Sequence, residues 1–392
     1  MRAVALWTAL LGLGVALAQE TGVIRRDGAF WVQSDTGRCN PDGAMRLRVL
    51  TTGDLHIRGE NLAELRYQLH KRVRAPGEAG ARELLEAVRV ETERRGEWLE
   101  IAVRAPAGVS PSLRLDVPQE WREVRLVCRA GGVAAARLKA ALRVENGGGP
   151  VAIEDLEGPL ELRTGGGKVT LSRIRGRVRC VSGGGAIVAD GVQGTAELIT
   201  GGGEVTIRDA SGPLRVRSGG GNIRVERAGS LSAATAGGAI EIAQAQGPVV
   251  AETAAGVIRV RAARGVRVNS GSGKIHLEEV AGPVHALTGL GDIVAAWRAA
   301  ADFRDSELRS AAGDITVFIP SNIAVTVEAT SGAERAAVVS DFAEIQARRR
   351  PGGIEARGAL NGGGAVLRLA ASEGSVYLRK ADQRKGRTSG QP

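Results

Sequence analysis

The chain has 392 residues, 56 of them glycine, a formal net charge of +10 and only 3% aromatic residues. That length can bury a large core, while the shortage of aromatics argues against base stacking on nucleic acid and against sugar-stacking grooves. Three cysteines, Cys39, Cys128 and Cys180, are an odd and sparse set that argues against a disulfide framework.

Residues 1–18 read as a secretory signal peptide: Arg2, an apolar run from Ala3 to Leu17, and a small-residue ending at Ala16-Leu17-Ala18 with cleavage expected before Gln19. The run is short for a membrane span and has no basic stop after it. No cysteine stands at the cleavage point, which argues against a lipoprotein, and no later stretch is apolar enough to span. The sequence therefore predicts an exported protein, periplasmic or at the cell surface.

Residues 19–43 show no period and read as a flexible leader. Residues 44–130 predict strands at Arg46–Val49, Asp54–Ile57, Glu64–Lys71, Trp98–Val103, Leu113–Val117 and Glu123–Cys128. Leu84, Leu85 and Val88 have helical spacing and predict one short helix within Gly77–Val88. This segment is the expected N-terminal cap, because an uncovered end strand invites pairing with another chain.

Residues 131–296 carry the dominant signal. A Gly-Gly-Gly triplet begins at Gly147, Gly165, Gly183, Gly201 and Gly219, each 18 residues after the last. An apolar-polar-apolar phrase follows each triplet, as in Val205-Thr206-Ile207, and a second follows half a period later, as in Leu214-Arg215-Val216. Alternation of this kind marks a strand with one buried face. Strands this short bury that face only by stacking coil on coil, about 4.8 Å apart. One expected inner ladder is Val151, Val169, Ile187, Val205 and Ile223; the other is Leu160, Val178, Ala196, Leu214 and Leu231. The glycines mark sharp turns, by positive φ or close backbone approach. The theme continues through Gly238, Gly256, Gly273 and Gly291 at 17 or 18 residues. The expected fold is all-β: a single-stranded β-solenoid (β-helix) with coils of about 18 residues and a β-rich N-terminal cap carrying one short helix.

Residues 297–380 are less regular, with aromatics returning at Trp297, Phe303, Phe318 and Phe342, and predict irregular coils and a second cap. Residues 381–392 are polar and basic, a composition expected to be disordered.

Three features together resemble the DUF4097 family, bacterial β-strand-repeat proteins that carry an adhesin label. They are the Gly-rich coils, the Gly313-Asp314-Ile315-Thr316-Val317 stretch ending at Pro320, and the closing Asn361-Gly-Gly-Gly with Gly374-Ser375-Val376-Tyr377-Leu378-Arg379. The resemblance covers about Arg46 to Lys380. It implies an exported, non-enzymatic β-solenoid and supplies no catalytic residues. This chain departs from it in its very regular array and in a long insertion around Trp297 to Ser310.

Surface chemistry is sparse. A calcium-binding roll needs Asp at the sixth position of each phrase, where Ala152, Thr170, Val188, Thr206 and Arg224 stand instead. No cofactor or metal is expected. His276 and His285 fall on outward positions and read as surface residues. Cys180 occupies an inward position as a small hydrophobe, and pairing of Cys39 with Cys128 stays open. The remaining signal is charge: Arg173, Arg175, Arg177, Arg179, Arg215, Arg217, Arg224, Arg227, Arg259 and Arg261 are candidates for a basic ladder. Such a ladder would suit an anionic envelope glycan, with a surface protein as the other partner class and nucleic acid excluded. Interspersed Glu161, Glu197, Glu204, Asp209 and Glu226 favour the alternative of a simply solvated face. The sequence predicts a non-catalytic envelope adhesin or scaffold. The alternatives are a structural spacer and a polysaccharide-active enzyme at Trp297, Asp302, Phe303, Asp305 and Glu307.

Overall fold

The computed structural model describes residues 13–14, 18–298, 302–332 and 336–381. Most of the expected export leader and residues 382–392 of the basic tail lie outside them. The chain divides into two compact units, Met1–Ser182 and Gly183–Pro392. Each is built from stacked coils of parallel strands, the β-solenoid that the glycine period predicts.

In the first unit, Val151–Glu157 pairs in parallel with the front half of Val133–Asn146 and with Val169–Arg175. Leu160–Thr164 pairs likewise with the rear half of Val133–Asn146 and with Val178–Ser182. Val133, Val151 and Val169 form one inner row and Leu142, Leu160 and Val178 another, all at most 2% exposed. Each row residue contributes roughly 1.5–3 kcal/mol by leaving water. The strand bends at Asp155 and at Arg173, both at φ 51, so Leu156 and Ile174 turn inward after two outward residues. A left-handed residue that is not glycine is uncommon, and here it forms the coil's corner.

In the second unit the inner row runs Ile187, Val205, Ile223, Ile240, Ile258, Ile275, Ile293 and Ile315 in unbroken register. The companion row runs Ala196, Leu214, Leu231, Val249, Val266 and Val284. The last inward position of the second strand is polar: Thr200, Ser218, Thr235, Thr253, Ser270 and Thr288 are all buried. The triplet glycines act mainly through close approach. A Cβ on Gly221 would sit 2.1 Å from the Gly203 carbonyl oxygen, whereas one on Gly220 would meet nothing within 4 Å.

Both units end in antiparallel strands. At the first, Phe30–Cys39 lies antiparallel to Leu65–Val73, which lies antiparallel to Val109–Pro118. Arg89–Arg95 closes the other row against Trp98–Arg104. The helix Glu78–Glu86 buries Ala81 and Leu85 on this cap. Residues 19–43 are therefore not the flexible leader that the sequence suggests. Ala18–Thr21, Arg25–Asp27 and Phe30–Cys39 are paired strands. Phe30–Cys39 escapes a search for alternation because its inward residues include Gln33, Asp35 and Gly37 rather than hydrophobes.

In the second unit, Ala365–Ala371 lies between Ser306–Ser310 and Val325–Ser331, parallel to both. The last coil in sequence is thus not the last in space. Gly353–Leu360 and then Gln346–Arg350 cover Val325–Ser331 as antiparallel strands, and every residue of Gln346–Arg350 is exposed.

Candidate functional site

Because strands in successive coils are in register, outward side chains also form columns, and directly opposed like charges repel. Much of the expected basic ladder consequently alternates in sign. Arg224 sits between Glu204 at 3.6 Å and Glu241 at 3.1 Å, and Arg259 meets Glu241 from the other side at 3.1 Å. Arg227 pairs with Asp209 at 3.2 Å and Arg175 with Glu157 at 2.8 Å. Arg173 holds both Glu154 and Asp155, and its hydrogen bonds keep the Asp155 carboxyl below the usual carboxylate range. Arg179 and Arg215 stand in register with Glu161 and Glu197. Arg217 lies between Ile199 and Ala234. Arg261 lines a shallow groove of about 410 Å³ with Glu226, Ala243 and Glu278. Exposed pairs of this kind add little stability, but they neutralise local charge.

Positive charge accumulates instead on the second-strand face of the first unit. Arg48, Arg125 and Arg143 occupy consecutive register positions, with Glu100 and Glu161 at the two ends of the run. Glu123, largely buried, relieves the repulsion: it lies 2.7 Å from Arg125, 3.5 Å from Arg143 and 4.0 Å from Arg46. Arg46 and Arg125 also pack over Trp98, at 5.5 and 4.6 Å from the ring centroid. Continuing along this face, Arg143, Arg163, Arg177 and Arg179 converge with one carboxylate, Glu161, on a groove of about 450 Å³. Of the expected ladder residues, only Arg177 and Arg179 belong to this groove. Arg46, Arg48, Arg125, Arg143 and Arg163 were not singled out by the sequence, although residues 125, 143, 161 and 179 share the 18-residue spacing.

The acids of the enzymatic alternative each have a separate partner. Asp302 pairs with Arg304 at 3.0 Å, Asp305 accepts the Val366 N–H at 2.9 Å, and Glu307 pairs with Arg309. Trp297 is buried and packs on Phe303 at 5.2 Å. His276 lies 3.1 Å from Glu278, while His285 stands in register between Arg267 and Glu307. Among the described residues no group of three His, Cys, Asp or Glu is placed to hold a metal ion, and no helix is long and apolar enough to cross a membrane. Cys39, Cys128 and Cys180 are free and buried, so Cys39 and Cys128 do not pair.

No protein-family model matches the chain, and no curated protein matches it. Two solved structures do. A "putative cell adhesion protein" from Clostridium sporogenes ATCC 15579 shares 10% identity at a TM-score of 0.20, over 89% of this chain and 99% of its own. A "putative adhesin" from Parabacteroides merdae ATCC 43184 shares 12% identity at a TM-score of 0.21, over 88% of this chain and 96% of its own. Likeness at this level assigns no activity to the present chain.

Proposed function

We propose that the protein is an exported, non-catalytic β-solenoid of the DUF4097 type that docks an anionic envelope glycan along the arginine face of its first unit. The observation that carries this reading is the run Arg48, Arg125, Arg143 leading into a groove where four guanidinium groups meet one carboxylate. Glu123 offsets the repulsion within the run, and a shallow, exposed basic groove suits a chain of acidic sugars. The alternating columns elsewhere fit a surface that stays soluble without attracting polyanions.

The test is a pull-down of the chain from Gln19 to Pro392 with isolated envelope fractions across a salt series. Capture at about 50 mM salt that is lost by about 500 mM supports docking by these arginines, since screening shortens with salt. Salt-insensitive capture points to a protein partner, and no capture at any salt leaves a structural spacer.

A further inference from the structure

The cap of the first unit buries a charged pair for which the proposed function has no use. Lys71 and Asp35 are 3% and 0% exposed, and Nζ lies 2.5 Å from Oδ2. Two more acceptors aim the amine: the Leu85 carbonyl at 3.1 Å, in the last turn of the helix, and Gln33 Oε1 at 3.5 Å. The register explains the meeting. In the antiparallel pair Phe30–Cys39 and Leu65–Val73, Asp35 faces Leu69, with Lys71 on one diagonal and Tyr67 on the other. All of them point inward. Gly37 faces Tyr67 and makes room for its ring, because a Cβ there would lie 2.4 Å from it. The Tyr67 hydroxyl is buried and has no hydrogen-bond partner among the described residues.

We propose that Lys71 and Asp35 condense into an intramolecular isopeptide bond that staples the N-terminal strand to its neighbour. With Nζ in contact with Oδ2, the carboxyl carbon lies within about one further bond length, at near-attack range. The Nζ–Cγ bond forms and one Cγ–O bond breaks. The nitrogen gives up two protons, the departing oxygen leaves with both as water, and the two opposite charges cancel. Nothing is oxidised or reduced, and no co-reactant enters. Tyr67 lies on the other diagonal from Asp35, and burial together with the Asp35 charge raises its pKa. Burying a charged pair is costly, and the amide removes both charges while keeping the contact. Closing the loop between residues 35 and 71 restricts the unfolded chain as a disulfide would, in a protein whose three cysteines are all free.

The experiment is the mass of the folded wild-type chain, measured after denaturation, with a tryptic map. The proposal predicts a chain lighter than its sequence by one water and a branched species joining residues 27–38 to residues 67–72. Lys71→Arg should restore the full mass. Full sequence mass with two separate peptides in the wild type overturns the proposal and leaves an ordinary ion pair that holds the helix. The wild-type measurement decides the matter even if the variant fails to fold.

Discussion

Ser218 and Gly203 stand on successive coils, and the Ser218 hydroxyl donates to the Gly203 carbonyl at 3.0 Å while accepting the Gly221 N–H at 2.9 Å. Thr200, Thr235, Thr253, Ser270 and Thr288 repeat the arrangement in the second unit. One buried hydroxyl per coil thus clamps the glycine turn of its own coil to the turn of the coil before. Ser218→Ala removes the hydroxyl and leaves both turn groups without a partner. It should lower stability by about 1–3 kcal/mol. A urea unfolding midpoint equal to that of the wild type would show that the clamp contributes nothing.

The inner row makes a sharper demand. Val205 is fully buried between Ile187 and Ile223. Val205→Asp would bury an unpaired charge and should cost at least about 3 kcal/mol. The adjacent Thr206→Asp faces outward beside Arg224 and should change stability by no more than about 0.5 kcal/mol. Comparing thermal unfolding of the two variants tests the inward and outward assignment directly, and equal effects would refute it.

These rows were legible in the sequence because each coil repeats the same apolar-polar-apolar phrase between glycines, so position alone fixes the face. The cap strands were readable from their own alternation and the helix from the helical spacing of Leu84, Leu85 and Val88. Phe30–Cys39 was not, since Gln33, Asp35 and Gly37 fill the inward places where hydrophobes would signal a strand. Arg89–Arg95 was missed because only Val90 in it is buried. The placement of Ala365–Ala371 between two earlier strands has no local signal, because it depends on which coil leaves room for a later one. The arginine face was hidden for a related reason: Arg48 and Arg125 are far apart in sequence and adjacent only through pairing of the cap strands.

Cys180 gives a prediction in pH. Burial pushes its thiol from 9.0 up to about 12. In the folded state the thiol keeps its proton where the unfolded chain has lost it. The stability this provides is fully present below pH 9, falls as pH rises beyond 9, and is lost by about pH 12. Unfolding followed between pH 8 and 11 should show this decline, and Cys180→Ala should flatten part of it. In the native chain at pH 8, Cys180 should also resist alkylation. Rapid labelling without unfolding would contradict its burial.

The most direct test of the proposed docking face compares two triple variants for binding to isolated anionic envelope glycan at about 50 mM salt, where screening is weak. One carries Arg143→Gln, Arg163→Gln and Arg177→Gln in the basic groove; the other carries Arg224→Gln, Arg227→Gln and Arg259→Gln in the alternating columns. Both sets of side chains are on the surface, and folding is checked by thermal unfolding. Loss of binding in the first variant and wild-type binding in the second is the predicted result. Equal binding by the two variants, whether lost or kept, would contradict a docking face on the first unit.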